Sequence, residues 1–211
     1  MLTVINYEIG NLRSVTSKLT RLGLSFHVAS TPAQLADAKR IILPGVGHFD
    51  AGMRNLRQLG FEDILRRKVF EENTPLLGIC LGLQLFAEGS EEGTERGLGW
   101  IPLRCRRFSS HGTVTRLRIP HMGWNRLKLS GSHPLLQGLS EERRFYFAHS
   151  YYLDDPSGLV TIASCGYGLN FCAVMVRGNI AGVQFHPEKS HHDGLQLLKN
   201  FSQWTPQECL H

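Results

Sequence analysis

Short apolar runs alternate with stretches of helical period along the first half of the chain. Leu2 to Ile5 is apolar and β-branched, and reads as a buried strand. A polar turn follows, Asn6-Tyr7-Glu8-Ile9-Gly10-Asn11. Leu12, Val15, Leu19 and Leu22 then recur at the spacing that puts them on one helix face, and Gly23 ends the helix. Ser25 to Ala29 is a second strand. Thr31-Pro32 supplies an N-cap and a proline at the first helical position, predicting a short helix to about Ala38. Ile41 to Leu43 is a third strand, closed by Pro44-Gly45-Val46-Gly47. Helical sequence runs from Asp50 to about Gln58 and from Phe61 to about Glu72. Leu76-Leu77-Gly78-Ile79-Cys80, opened by Pro75, is a buried strand placed near the sheet centre. A helix is expected after it, from the run Leu83, Leu85, Phe86.

Strand, helix, strand, helix, strand predicts an α/β fold: an open, mostly parallel central sheet with helices on both faces. After Ser90-Glu91-Glu92-Gly93 the character changes. Mixed polar and apolar sequence with Gly and Pro breaks, from Leu98 to about Leu129, reads as short antiparallel strands and loops. Further strands are expected at Arg144–Ala148, Leu159–Ser164, Phe171–Arg177 and Asn179–Phe185, and a C-terminal helix through Leu195, Leu198 and Phe201. A smaller antiparallel β portion thus accompanies the parallel sheet. No linker, repeat or low-complexity segment divides residues 1–211, so one domain is expected.

Composition changes this picture little. Of 211 residues, 42% are hydrophobic and 19% charged, which suits a soluble globular protein with a sizeable core. The first apolar run is too short for a signal peptide, and no run is long enough to cross a bilayer, so a cytoplasmic protein with no membrane association is expected. The net charge of +5 comes mostly from arginine, in clusters at Arg66-Arg67-Lys68, Arg104 with Arg106-Arg107, Arg116 with Arg118, and Arg143-Arg144. No aromatic residues interleave with them in a binding motif, so they read as a solvated or docking surface rather than a nucleic-acid face. Cys80, Cys105, Cys165, Cys172 and Cys209 form no CxxC pair, which argues against a zinc knuckle or a disulfide framework. His191-His192 lacks a companion Cys or carboxylate cluster, so no metal site is expected.

The candidate chemistry lies at Gly78-Ile79-Cys80-Leu81-Gly82. Strand, sharp turn and helix with a nucleophile at the turn is the logic of the G-x-S-x-G elbow, here with sulfur. Small residues must flank so strained a turn, and a helix N-terminus aimed at the thiol favours the thiolate. The competing reading is a buried structural cysteine. A nucleophilic cysteine needs a base, and the base an orienting group. His186-Pro187-Glu188, ending an apolar run, offers both, because in extended chain residues i and i+2 face the same side. Backbone N–H groups would hold the oxyanion, one from Leu81 and the other from the Gly45-Val46-Gly47 loop.

With these residues the chain resembles the class I (triad) glutamine amidotransferases, and within them the glutaminase subunits of imidazole glycerol phosphate synthase. The elbow and His-Pro-Glu carry the broad resemblance. Asn6-Tyr7 with Gly10-Asn11-Leu12, Pro-Gly-Val-Gly at 44–47, Pro-His-Met-Gly-Trp-Asn at 120–125 and Tyr-Phe-Ala-His-Ser-Tyr at 146–151 carry the narrower one, nearly end to end. The resemblance implies hydrolysis of glutamine to glutamate and ammonia by a Cys80–His186–Glu188 triad, with Val46 and Leu81 at the oxyanion hole and no cofactor. It implies that Gly47, Gln84, Glu92, Ser150 and Tyr151 contact glutamine. Trp124, Tyr146 and Lys189 would meet a separate cyclase subunit, a (β/α)8 barrel, in a heterodimer that uses the ammonia for histidine biosynthesis. The Pro44–Gly47 loop would reorient to complete the oxyanion hole. One departure is Glu8, where relatives commonly carry a small residue. On the residues alone, Gln84 also reads as a first-turn helix residue, Glu92 as a surface carboxylate and Trp124 as core. An amidotransferase serving another synthase, a cysteine peptidase or esterase, and an inert binding module are the competing functions.

Overall fold

A computed structural model of the chain describes residues 1–109, 117–139 and 144–206. Arg116, Arg143 and Cys209 lie outside the described residues. The elements in order are β1 (Leu2–Ile5), α1 (Leu12–Arg21), β2 (Phe26–Ala29), β3 (Ile41–Gly45), α2 (Phe49–Gln58), α3 (Phe61–Phe70), β4 (Leu76–Cys80) and α4 (Leu81–Gln84). Then come β5 (Ala87–Ser90), β6 (Ile101–Arg107), β7 (His121–Arg126), β8 (Lys128–Leu129), β9 (Arg144–His149), β10 (Tyr151–Asp154), β11 (Thr161–Tyr167), β12 (Leu169–Arg177), β13 (Ile180–Val183) and α5 (His191–Gln203).

The main sheet has the strand order β2-β1-β3-β4-β13-β12-β11-β8. Its first five strands are parallel, and β12, β11 and β8 extend it antiparallel. Strand residues alternate between two cores, as a period of two requires. Leu2, Val4, Ile42, Leu77 and Ile79 face α1 and α5 through Val15, Leu19, Leu197, Leu198 and Phe201. Ile5, Ile41, Leu43 and Leu76 face α2 and α3 through Met53, Leu56, Phe61, Leu65 and Val69. Helices therefore cover both faces, and the expected fold class is the observed one. β10-β6-β5 and β7-β9 form two smaller sheets beside the carboxyl edge.

Local signals set the helix boundaries. The Asn11 side chain accepts from the Ser14 N–H at the start of α1. Glu62 and Asp63 open α3 while Arg67 and Lys68 close it, matching the helix dipole. Three expectations need correction. The run after Thr31 is a single 3-10 turn, Pro32–Leu35, rather than an α-helix. The expected helix after Cys80 lasts four residues, because its chain turns at once into β5 to pair with β6. The basic cluster at 66–68 is not uniformly solvated: Lys68 is buried and its Nζ lies 2.5 Å from Glu72 Oε2. Arg106 is likewise ion-paired, to Asp154 at 2.5 Å.

Glu8 has φ 67°, in the left-handed region, and its side chain is exposed. A non-glycine residue there carries about 1–2 kcal/mol of strain. Part of that is offset because glycine loses more entropy on folding. Glu8→Gly is therefore expected to stabilise the chain by about 0.5–1 kcal/mol. Thermal unfolding would read this as a small rise in midpoint; a fall would mean that the Glu8 side chain itself holds the loop.

Candidate active site

Three parallel strands end side by side and bring the chemistry together. Gly45 at the end of β3 stands opposite Cys80 at the end of β4, and β13 pairs with β4 through Val183 and Ile79. His186 follows β13 by three residues. Sites in open α/β sheets form outside the carboxyl ends of such strands.

Cys80 has φ 54° and ψ −106°, a conformation that persists in a non-glycine residue only when its surroundings fix it. Close packing fixes it here. A Cβ at Gly78 would stand 2.6 Å from the Leu83 nitrogen, and one at Gly82 2.0 Å from the Leu43 carbonyl oxygen. A Cβ at Gly45 would stand 2.5 Å from the hydroxyl of fully buried Tyr7. The elbow expected from the sequence is therefore present, and the small residues around it are required by backbone approach. With α4 only one turn long, few aligned peptide dipoles face the sulfur, so the support expected from the helix N-terminus is small.

His186 and Glu188 are both buried, and His186 Nδ1 donates to Glu188 Oε1 at 2.8 Å. The pairing arises differently from the extended-chain expectation. His186 is extended, but Pro187–Lys189 is a 3-10 turn that brings the carboxylate back onto the ring. The Ser190 hydroxyl braces the turn by donating to the His186 carbonyl at 2.7 Å. Burial disfavours the charged imidazole. Hydrogen bonds to Cys80 and Glu188, with their negative charges, outweigh that and push His186 up to about 10.

A cleft of about 310 Å³ opens over Cys80. It is lined by Val46, Gly47, Leu81, Gln84, Glu92, Ser150 and Tyr151, every position expected to form the oxyanion hole or to contact glutamine, together with His149 and Met122. Gln84 is buried, and its Nε2 donates to the Tyr151 carbonyl at 2.8 Å. Glu92 is half-buried and more than a surface carboxylate: its Oε2 accepts the Phe49 N–H at 2.8 Å and caps α2. Trp124 is 43% exposed, which removes the core reading. Its ring stacks on His191 at 4.8 Å and meets Tyr146 at 6.0 Å, and Lys189 Nζ lies 5.5 Å over the Tyr146 ring. With Met122 at 64% exposure, these residues form an apolar rim beside the cleft. Cys105, Cys165 and Cys172 are buried, and burial pushes Cys165 and Cys172 up to about 12 and Cys105 higher still. Among the described residues no group of three or more His, Cys, Asp or Glu is placed to hold a metal, and no helix is long and apolar enough to cross a membrane.

A model of the glutamine amidotransferase class-I family matches residues 3–204. Imidazole glycerol phosphate synthase subunit HisH 2 of Pseudomonas aeruginosa is 45% identical over 203 residues, 95% of this chain and 98% of that protein. Subunit HisH of Bdellovibrio bacteriovorus is 43% identical over 203 residues, 96% of this chain and all of that one. The chain belongs to the class-I glutamine amidotransferases, among the HisH subunits of imidazole glycerol phosphate synthase. Solved structures of lower identity share the amidotransferase's fold. A glutamine amidotransferase crystal structure superposes with a TM-score of 0.74 at 22% identity, covering 95% of this chain and 97% of that one. The structure of PurLQS from Thermotoga maritima gives 0.73 at 18% identity, covering 96% and 97%.

Sequence reasoning missed two parts of the amidotransferase's site. One is Gln184, a single polar residue inside the apolar run Ala181–Phe185, which was its only signal. The other is a buried histidine pair. His149 Nδ1 is 2.8 Å from the Tyr151 carbonyl, which can only accept, so Nδ1 carries the proton. His149 Nε2 is then the acceptor for His121 Nδ1 at 3.0 Å. Both rings are neutral: burial pushes His121 down to about 4. Burial also pushes His149 down to about 3, with the nearby His121 and His186 charges adding and the Tyr151 bond opposing. These values lie below the ordinary 6.5 or so, so as pH falls from about 6.5 to about 4 the unfolded chain binds protons that the folded one refuses. Stability is expected to decline across that window. Urea unfolding at pH 7 and pH 5 measures it, and equal unfolding free energies would exclude a neutral buried pair.

Proposed function

We propose that this amidotransferase hydrolyses glutamine through a γ-glutamyl thioester on Cys80 and passes the ammonia to a separate cyclase subunit. The observation that carries the reading is the buried His186 ring, hydrogen-bonded to Glu188 and raised in basicity by Cys80, whose side chain lines the cleft. In the first half-reaction His186 already holds the thiol's proton, and the Cys80 sulfur bonds to the side-chain amide carbon. The backbone N–H groups of Val46 and Leu81 hold the oxygen that becomes negative. His186 returns the proton to the departing nitrogen, the C–N bond breaks and ammonia leaves. In the second half, water gives its proton to His186 and attacks the thioester carbon; the C–S bond breaks, releasing glutamate and leaving the Cys80 thiolate beside the protonated His186. Glu188 holds the proton on Nδ1, so that Nε2 faces the sulfur, and stabilises the imidazolium.

Gly47, Gln84, Glu92, Ser150 and Tyr151 hold the α-amino and carboxylate ends of glutamine. The chain acts as one domain in the cytoplasm. The exposed Trp124 rim, with Tyr146 and Lys189, docks a (β/α)8 cyclase in a heterodimer, and reorientation of the Pro44–Gly47 loop on docking completes the oxyanion hole. Gly47, with φ 108° and open space around it, permits that movement. The test is glutamate release by the purified chain, alone and then with an imidazole glycerol phosphate synthase cyclase subunit and its nucleotide substrate. Strong stimulation is expected. Reactive Cys80 without stimulation would keep the chemistry and reject the partner.

A further inference from the structure

Gln184 is fully buried, and the triad gives it no task. It sits one residue beyond β13, where Val183 is opposite Ile79, so the next row of the sheet sets Gln184 beside Cys80. Its backbone N–H donates to the Ala173 carbonyl at 2.9 Å, fixing the residue from the neighbouring strand as well.

The orientation of its amide follows from its neighbours. The Tyr151 carbonyl can only accept, so the Gln84 atom 2.8 Å away is the nitrogen, Nε2. That nitrogen is also 3.1 Å from one end of the Gln184 amide, which is therefore the acceptor Oε1. The remaining end is the NH₂, and it lies 3.7 Å from Cys80 Sγ. Flipping either amide would face donor against donor or acceptor against acceptor at a buried position. Gln84 Nε2 thus donates both to the Tyr151 carbonyl and to Gln184, and Gln184 in turn donates to the sulfur.

We infer that Gln184 is a positioning residue for the reaction: its Nε2–H holds the Cys80 sulfur and supports it as the anionic nucleophile, and Gln84 sets the direction of that bond. A hydrogen bond donated to the charged form of a group favours that form. Gln84 and Tyr151 are also the segment proposed to hold glutamine, so the group that fixes the substrate and the group that fixes the nucleophile share one set of hydrogen bonds. The inference rests on the reading of Cys80 as the nucleophile.

The experiment uses the full chain and its Gln184→Met variant, which keeps the volume and removes the donor. Iodoacetamide labelling of Cys80, mapped by mass, gives its reactivity; glutamine hydrolysis in the complex with the cyclase subunit gives kcat and KM. Labelling and kcat are expected to fall by about ten-fold or more, the scale of a hydrogen bond to a charged group. KM for glutamine should stay within about three-fold and the melting temperature should change little, a split that lost packing alone would not produce. Gln184→Asn, whose amide is one methylene short of the sulfur, should lose the same reactivity, and it carries the test if the methionine variant does not fold. Unchanged labelling and kcat in a folded variant would overturn the inference. An unaltered chain whose Cys80 does not label would instead overturn the proposed function.

Discussion

Cys80→Ala is expected to lower glutamine hydrolysis by about four orders of magnitude or more while leaving ammonia-dependent synthesis by the complex intact. On the proposed mechanism the sulfur is the atom that forms the thioester, and among the described residues no second thiol can replace it: Cys105, Cys165 and Cys172 are buried away from the cleft, with burial pushing their thiols up. Losses of this size follow when a covalent nucleophile is removed from a triad. The fold should survive, because alanine is smaller than cysteine and meets the same backbone conformation, φ 54°. Ammonia supplied from solution needs only the cyclase and a docked partner, so that activity reports the integrity of the interface. Glutamate release and ammonia-dependent product formation, measured on one preparation, separate the outcomes. Loss of both would mean that Cys80 is structural, and retained glutamate release would mean a different nucleophile.

The second large effect is on the fold. Gly82→Ala is expected to destabilise the chain by about 3 kcal/mol or more, or about 10 °C in melting temperature. The added methyl would stand 2.0 Å from the Leu43 oxygen and 3.0 Å from its carbonyl carbon, both backbone atoms that no rotamer change can move. Relief requires α4 to part from β3. Since β3 leads directly into Val46 and Gly47, the same shift would displace the loop proposed to complete the oxyanion hole, so activity should fall even in the fraction that folds. Gly131→Ala is the control, for nothing lies within 4 Å of its Cβ position and its φ is ordinary. It should change stability by less than about 0.5 kcal/mol. Equal effects at the two positions would show that the elbow is not close-packed.

Much of this architecture was legible because it is local or periodic. The apolar runs of β1, β3 and β4 and the helical spacing of Leu12, Val15 and Leu19 required strands and a helix on any tertiary plan. The glycines flanking Cys80 announced a tight turn. His186 and Glu188, two residues apart, could be paired from spacing alone, although a 3-10 turn and not an extended strand performs the pairing. The length of α4 was not legible. Leu83, Leu85 and Phe86 fit a helical period, yet the chain leaves after Gln84 because β5 pairs with β6, more than ten residues further on.

By itself, then, the sequence determined the two-faced parallel sheet, the strained cysteine turn and the His-Pro-Glu pair, since each depends on neighbours within a few positions. The tertiary structure alone decided that Cys80, 106 residues before His186, shares a site with it, because strand order and register are long-range choices. It likewise decided that Gln84, Gln184, His121 and His149 are buried partners rather than solvated polar residues. A polar side chain carries no local sign of the partner that satisfies it; that partner is supplied by whichever strand the fold lays beside it.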